Sequence, residues 1–264
     1  MRWFLGLNHA APHFVAYARM VQAAMLSAPK EGGLQPHLLF DGSECDLTRW
    51  FRNRGGEVIF RESYLKPDLL RLLHIPEVAA QRLYVEGVYL RAEIPALMKE
   101  RGWMDEIVLY TDNDILFTPL FRAADLPRRL AHPIAAAPES DRNDEVIFNS
   151  GFMLLNLPRW EPIYARFKQQ LIDDLPMALR GDWDQFTFRA FFGKNYDRLD
   201  PVWNWKPYWG PNPAARVIHF HGPKPFLREQ IRQGTALPVQ LHLATGEFWR
   251  ACEEFDRLLA AAGL

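Results

Sequence analysis

Two carboxylates one residue apart are the side chains in this sequence that are best suited to chemistry. Asp112 and Asp114 directly follow an apolar run, residues 107–110, that is typical of a buried strand. Carboxylate oxygens on a turn at the end of a strand can bind Mg²⁺ or Mn²⁺ while a phosphate of a ligand completes the coordination. In an open α/β sheet, that end of the strands is also where ligands bind. The pair therefore predicts a divalent-metal site.

Spacing alone is weak support for this site. Sixteen aspartates in 264 residues give about one Asp-x-Asp by chance, and the chain has a second one, Asp182-Trp183-Asp184. At residues 112–114, the alternative is a turn with two solvated aspartates. At residues 182–184, the pattern favours a structural role, because Asp182 has the position of a helix N-cap and Asp184 falls in the first turn. Asp184 and Gln185 remain candidates, because the first turn of a helix can face a cleft.

Two further segments carry polar residues where strands are predicted to begin or end. Asn149-Ser150-Gly151 opens an apolar strand, and such small residues let a ligand approach the backbone closely. An ordinary turn is the alternative. His219 lies in a short strand later in the chain and Lys224 follows it, where the histidine could bind the same cation and the lysine a diphosphate. A hydrogen-bonded core histidine is the alternative for His219.

Arg91 lies in the largely apolar segment 89–95 and is expected to need an anionic partner. That partner is either Glu93 or another acidic side chain, or it is a ligand phosphate or the Asp112 and Asp114 pair. The sequence leaves both alternatives open.

The composition fits one soluble domain. The chain has 264 residues and is 48% hydrophobic, which is enough for a substantial core, and its net charge of −1 argues against nucleic acid as a partner. Two cysteines, Cys45 and Cys252, form no disulfide framework and fit a reducing compartment. No signal peptide or membrane span is evident, so the sequence predicts a cytoplasmic protein. An amphipathic C-terminal segment, 248–259, is expected to dock on the domain and leaves peripheral membrane contact open.

Strand and helix patterns alternate along the chain. Strands are expected at residues 3–7, 37–40, 57–60, 107–110, 134–137, 148–157 and 217–220. Helices are expected from Pro12 to about Met25, and at 47–51, 76–100, 161–175 and 183–192, with Gly87 and Pro95 interrupting the third. This alternation predicts an α/β fold with a mostly parallel sheet that is covered by helices on both faces.

Taken in order, five segments resemble motifs of glycosyltransferase family 8, the retaining enzymes of the GT-A fold. The segments are residues 89–95, 109–114, 149–157, Asp184-Gln185 and 219–226. The sequence departs from the family at Asn8-His9, where two aspartates that help to hold uracil and ribose are usual, and at Phe226, where tryptophan is usual. At the first departure, the Asn8 carbonyl is expected to accept the N–H of the base.

The resemblance implies a single GT-A domain with a mixed, mostly parallel sheet. Residues 1–110 would form a nucleotide-binding half, 111–226 a metal and acceptor half, and 227–264 a C-terminal helical extension. The site residues that the resemblance implies are the metal ligands Asp112, Asp114 and His219, the donor-binding residues Asn8, Arg91, Asn113, Asn149, Ser150, Gly222 and Lys224, and the catalytic residues Asp184 and Gln185.

The implied activity is metal-dependent transfer of a hexose with retention of configuration. The cofactor would be Mn²⁺ or Mg²⁺, the donor a nucleotide-diphosphate sugar such as UDP-glucose or UDP-galactose, and the acceptor a glycan such as lipopolysaccharide or another hydroxyl compound. Two alternatives remain. One is another metal-dependent enzyme of nucleotide sugars or phosphates, such as a nucleotidyltransferase or phosphohydrolase, and the other is a non-catalytic binding module of the same fold.

Overall fold

The computed structural model describes residues 1–29, 33–180 and 183–264, except for the side chains of residues 77, 80, 81 and 84. The expected N-cap, Asp182, lies outside the described residues. Within them, the strands are β1 (Arg2–Asn8), β2 (Gln35–Asp41), β3 (Glu57–Phe60), β4 (Ile107–Thr111), β5 (Ile115–Phe117), β6 (Ile134–Pro138), β7 (Phe148–Asn156), β8 (Asp197–Arg198) and β9 (Val217–His219).

Seven of these strands form one mixed sheet in the order β3-β2-β1-β4-β7-β6-β8. The strands from β3 to β4 run parallel, β7 is antiparallel to both of its neighbours, and β8 is parallel to β6. The predicted α/β fold with a mostly parallel sheet is confirmed. β5 and β9 pair separately and antiparallel, with Ile115 opposite His219.

The helices that the structure describes lie on both faces of the sheet. They are α1 (Phe14–Ser27), α2 (Asp46–Asn53), α3 (Lys66–Arg71), α4 (Pro76–Tyr89), α5 (Ile94–Glu100), α6 (Leu157–Trp160), α7 (Tyr164–Ala178), α8 (Asp184–Phe192), α9 (Arg228–Arg232), α10 (Pro238–Leu243) and α11 (Gly246–Ala261).

Alternate residues of each central strand supply two separate cores. In β1, Trp3 and Leu5 pack with the helices α1 and α2, whereas Phe4 packs with α4, α5, α7 and α8. All three side chains are fully buried, and each contributes about 1.5–3 kcal/mol by leaving water. Because both faces are covered, the strands read as nearly continuous apolar runs, and polar residues within or beside them stand out.

The helical segment 76–100 differs from its prediction at Gly87. The helix α4 continues through this glycine and ends at Tyr89, where a 3₁₀ turn, Leu90–Glu93, leads into α5. A Cβ atom on Gly87 would lie 2.8 Å from the backbone nitrogen of Asn8. The glycine is therefore a contact point between α4 and the end of β1 rather than a break in the helix.

The helix expected at 161–175 is α7, which begins and ends three residues later. The chain first forms the single turn α6, which has Pro158 in its first turn, and α7 begins only after it.

The C-terminal helix α11 docks on the domain, as expected. Phe248, Cys252, Phe255 and Leu259 are buried in a third core that includes Met20 of α1. Cys252 is a free thiol, as is Cys45. None of the described helices combines the length and apolar character that crossing a membrane requires.

Candidate functional site

A cavity of about 300 Å³ opens at the carboxyl ends of β1 and β4. The strand order reverses at β1, because β2 and β3 lie on one side of it and β4 lies on the other. A crevice at such a reversal is where open α/β sheets bind ligands. Both aspartates of the Asp112 and Asp114 pair line it, as do Arg91, Asp184 and Lys224.

Asp112, Asp114 and His219 come together at one end of this cavity, with one ligand atom of each within 4.8 Å of the others. The Nε2 atom of His219 lies 3.3 Å from Oδ1 of Asp114 and 3.8 Å from Oδ2 of Asp112. The two-stranded pairing causes this approach, because β5 begins directly after Asp114 and its first residue, Ile115, is opposite His219. The structure thus brings the three predicted metal ligands together.

In Asp112 and in Asp114, one carboxylate oxygen accepts hydrogen bonds and the other faces His219. Oδ1 of Asp112 accepts hydrogen bonds from Arg91 at 2.7 Å and from the Tyr110 hydroxyl at 2.9 Å, which leaves Oδ2 toward His219. Oδ2 of Asp114 accepts a hydrogen bond from Nζ of Lys224, which leaves Oδ1 toward His219. One oxygen of each aspartate is therefore held by a cation and the other faces the histidine nitrogen.

A chain of hydrogen bonds fixes the tautomer of His219. The backbone N–H of Gly151 donates to Oδ1 of Asn149 at 3.1 Å, so this atom is an acceptor. Nδ2 of Asn204 donates to the same oxygen at 2.8 Å, which turns the Asn204 carbonyl toward Nδ1 of His219, also at 2.8 Å. Nδ1 must then carry the proton. Nε2 is the ring nitrogen that faces the two aspartates.

Gly151 leaves the space that a cation would need. A Cβ atom at this position would lie 2.4 Å from Cε1 of His219 and 2.7 Å from Oδ2 of Asp112. Two carboxylate oxygens and an imidazole nitrogen form a donor set that suits Mn²⁺ and is compatible with Mg²⁺. The residues present therefore fit a divalent ion.

Lys224 and Asp114 stabilise each other's charge. Burial alone would raise the pKa of Asp114, but Lys224 and His219 hold this pKa well below its usual range. Burial lowers the pKa of Lys224, but Asp114, together with Tyr17 and Asp112, raises this pKa above its usual value. Both groups stay ionised at neutral pH. Gly222 forms the turn before the lysine with φ of 92°, but it is not among the described residues that line the cavity.

Arg91 connects the metal pair to Asp184. Besides its bond to Asp112, its guanidinium donates to Ser150 twice at 3.0 Å, and its Nε lies 3.2 Å from Oδ2 of Asp184. Glu93 pairs instead with Arg61. Arg91 thus contacts the Asp112 site and also another acidic side chain, Asp184, so both expected kinds of partner are present, although the acid is not Glu93.

Asp184 is a buried carboxylate with a raised pKa. Burial raises the pKa of Asp184 to about 6, although the charge of Arg91 opposes the change. The residue before it, Trp183, lines the cavity and has φ of 49°, in the region that favours glycine. Such a backbone costs about 1–3 kcal/mol and persists only where the surroundings require it.

Gln185 has a fixed orientation. Its Oε1 accepts from the Ser150 N–H at 2.8 Å and from Nδ2 of Asn149 at 3.0 Å. Its Nε2 donates to Glu139, which also pairs with Arg189. The start of α8 and the start of β7 are locked together in this way.

Asn8 at the end of β1 and Asn113 in the turn after β4 also line the cavity. Nδ2 of Asn8 donates to Glu86 at 2.9 Å, and its Oδ1 accepts from the N–H of Ala10 at 2.7 Å. Nδ2 of Asn113 donates to the carbonyl of Gly6 at 2.8 Å, which ties the metal turn to β1. The Asn8 carbonyl that was expected to face a base is therefore already engaged once.

Three residues of this arrangement were not predicted from the sequence: Glu86, Glu139 and Asn204. Glu139 comes two residues after a predicted strand, as Asp112 does, so the strand-end argument applied to Asp112 could have found it. Asn204 lay in an aromatic-rich segment, 203–209, in which no pattern marked it. Glu86 lay inside a predicted helix, and no pattern marked it either.

No protein-family model matches the chain, and no curated protein sequence matches it. Solved structures do. The glycosyltransferase GlyE of Streptococcus pneumoniae TIGR4 has a TM-score of 0.61 and 19% identity, over 92% of this chain and 62% of GlyE. The galactosyltransferase LgtC, in complex with donor and acceptor sugar analogs, has a TM-score of 0.56 and 18% identity, over 96% of this chain and all of LgtC. Mouse xyloside xylosyltransferase 1 has a TM-score of 0.54 and 14% identity, over 83% of this chain and 97% of the mouse protein's chain.

The chain has the GT-A fold. The expected fold class is thereby confirmed, since the architecture extends over nearly the whole chain. The chain spans less than two thirds of the length of GlyE. At these identities the likeness concerns the fold, and membership of glycosyltransferase family 8 stays a prediction.

Proposed function

We propose that the protein is a metal-dependent retaining glycosyltransferase that moves a hexose from a nucleotide-diphosphate sugar to a hydroxyl group of a glycan. The observation that carries this proposal is the joint placement of Asp112, Asp114, His219 and Lys224 at the point where the strand order of a GT-A sheet reverses. UDP-glucose and UDP-galactose are the proposed donors, and lipopolysaccharide is the proposed acceptor. We place the nucleotide on residues 1–110 and the metal and acceptor on 111–226.

Charge develops on the diphosphate as the sugar–phosphate bond breaks. Mn²⁺ or Mg²⁺ held by Asp112, Asp114 and His219 would stabilise that charge. Lys224 is ionised and lies beside Asp114, so it can donate to diphosphate oxygens from the same position. The turn at Gly222 brings this lysine to the cavity.

Asp184 and Gln185 line the same cavity, and Arg91 connects Asp184 to Asp112. The orientation of Gln185 is fixed by Asn149 and Ser150, and these three residues would hold the sugar. Arg91 uses its guanidinium on Asp112, Ser150 and Asp184, and therefore fits a positioning role. Asn8 and Asn113, at the β1 end, would face the nucleoside.

Retention requires either a covalent carboxylate intermediate or attack from the same face as the leaving group. Among the described residues, Asp184 and Glu139 are the carboxylates that line the cavity outside the metal group. Glu139 is paired with Arg189 and Gln185, so Asp184 is the proposed nucleophile or charge stabiliser. With a pKa of about 6 it is mostly ionised at pH 7.

The first test measures thermal unfolding with UDP and Mn²⁺, each alone and both together. A ligand at 100 times its dissociation constant adds about 2.7 kcal/mol of stability. We expect a shift mainly with both present, and we expect D114N to lose it. D125N is a matched control, because Asp125 pairs with Arg216 on the surface away from the cavity.

The second test identifies the product released from UDP-glucose and UDP-galactose. Release of UDP supports glycosyl transfer, whereas release of pyrophosphate favours a nucleotidyltransferase. If no nucleoside diphosphate binds with Mn²⁺, the non-catalytic binding module is favoured and the proposed function is wrong.

A further inference from the structure

Glu86 is a buried carboxylate with one oxygen that has no hydrogen-bond partner among the described residues. The residue is 2% exposed. Its Oε2 accepts from Asn8 at 2.9 Å, whereas its Oε1 has only a distant cation, Nε of Arg82 at 3.6 Å. A buried acceptor without a hydrogen bond costs about 1–3 kcal/mol, so this oxygen is expected to accept a hydrogen bond from a ligand.

The position of Glu86 is rigidly defined. The next residue, Gly87, packs directly on the backbone of Asn8 and leaves no room for a side chain. The amide of Asn8 cannot turn over, because its carbonyl is held by the N–H of Ala10 and must point away from Glu86. Glu86 is thus fixed against the carboxyl end of β1, and its carboxylate takes the orientation that Asn8 imposes.

A second cleft of about 550 Å³ lies beside the first cavity at this point. Asn8 lines both, and Glu86 lines the second together with Asp41 at the end of the adjacent strand β2. Desolvation raises the pKa of Glu86 above its ordinary value, as expected for a carboxylate whose hydrogen bonds are incomplete. This cleft continues the ligand crevice along the strand ends, away from the metal group.

We propose that Glu86 recognises the nucleoside part of the donor by accepting a hydrogen bond from it on Oε1. This inference rests on the proposed function, which places the diphosphate at Lys224 and the nucleoside toward Asn8. Two donors of a nucleoside share the required chemistry: the ring N–H of uracil or guanine, and a ribose hydroxyl. Glu86 would then supply from α4 an acidic acceptor that the end of β1, Asn8-His9, does not contain.

The variant E86Q tests the role of this oxygen with little change in shape. The Asn8 amide donates to the side chain at 86, so the Gln oxygen takes that place and the Gln NH₂ group replaces Oε1. The position facing the ligand changes from an acceptor to a donor. A lost hydrogen bond to a charged acceptor corresponds to a loss of affinity of about tenfold or more.

The experiment measures binding of UDP, 3-methyl-UDP, 2′-deoxy-UDP and pyrophosphate to wild type and E86Q, each with Mn²⁺, by titration calorimetry. GDP and its 1-methyl and 2′-deoxy analogues are used in the same way. E161Q is the control, because Glu161 is exposed and pairs with Lys99 on the surface. Thermal unfolding without ligand checks that E86Q is folded.

We expect the wild type to bind the unmodified nucleotide about tenfold more tightly than one of its two analogues. E86Q should lose this difference in affinity, and its affinity for pyrophosphate should equal that of the wild type. Loss of the preference against the methylated base identifies the ring N–H as the donor, and loss against the deoxy compound identifies the ribose. If E86Q keeps the wild-type preference against both analogues, the inference is wrong and the proposed function still stands. If wild type binds pyrophosphate but no nucleotide more tightly, both are wrong.

Discussion

Replacement of Asn204 by alanine should weaken metal binding although Asn204 contacts no metal. The residue is fully buried and joins Asn149 to His219 by two hydrogen bonds of 2.8 Å. Without its carbonyl, the proton of His219 is no longer held on Nδ1. The tautomer with the proton on Nε2, which cannot bind a cation, then becomes accessible.

The size of the effect follows from the contacts. Two hydrogen bonds contribute about 0.5–1.5 kcal/mol each, and the N–H of His219 left unpaired adds about 1–3 kcal/mol, so N204A should lose about 2–6 kcal/mol of unfolding free energy. Loss of a partner that orients a metal ligand costs about 10–100-fold in metal affinity. Both effects should appear in the same variant.

The assay combines urea unfolding with Mn²⁺ titration in the absence of nucleotide. N204D keeps an acceptor for His219 but loses the donor to Asn149, so it should lose stability and keep Mn²⁺ affinity. N156A is a matched control, because Asn156 donates to the Leu130 carbonyl outside the cavity and its loss should affect stability alone. If N204A is destabilised but binds Mn²⁺ as tightly as wild type, Asn204 only packs, and the reasoning fails.

Three further changes test the cavity. G151A should abolish Mn²⁺ binding and cost about 1–3 kcal/mol of stability, because the added Cβ would lie 2.4 Å from the His219 ring; normal titration by Mn²⁺ would contradict this. The folded-state pKa of Asp184, about 6, lies above the ordinary 3.8, so its stabilising effect is present below about pH 4 and is lost as the pH rises to about 6. Between pH 4.5 and 7.5, this carboxyl should lower the unfolding free energy of the wild type by about 2 kcal/mol, and D184N should lack that decrease in urea unfolding. If D184N shows the same pH profile as the wild type, the pKa of Asp184 is not raised. R91K should cost about 3 kcal/mol in the same assay, because lysine cannot bridge two buried carboxylates, and it should cost less in a D184N background; equal costs would show that the two residues are not coupled.

The sheet could be predicted because it is encoded by local patterns. The strand expected at 57–60 has the same bounds as β3, and the strand expected at 107–110 is one residue shorter than β4. Residues such as Phe4 and Leu5 alternate between the two cores, yet both are apolar, since helices cover both faces of the sheet. Helix boundaries near glycine and proline were less predictable, because tertiary contact decides whether Gly87 ends a helix or packs against a strand.

The partners of polar residues could not be predicted, because they come from distant parts of the chain. Arg91 could have paired with Glu93, two residues away, but it pairs with Asp112 and Asp184. The acid near it pairs instead with Arg61, which lies at the end of β3. Only the packing of α4 and α5 on the sheet determines which of these acids each arginine reaches.

Arg91 and Lys224 offset the repulsion among the aspartates of the cavity. Three buried or half-buried aspartates would repel one another, and their protonation would remove the ligands for a cation. Here Arg91 lies between Asp112 and Asp184, and Lys224 lies on Asp114, so each acid has a cation in contact. Because Asp112 and Asp114 each use one oxygen for that cation, the other stays directed at His219. Binding of a divalent ion then requires no exchange of partners, and we infer that the charged side chains, rather than the ion, orient the two carboxylates.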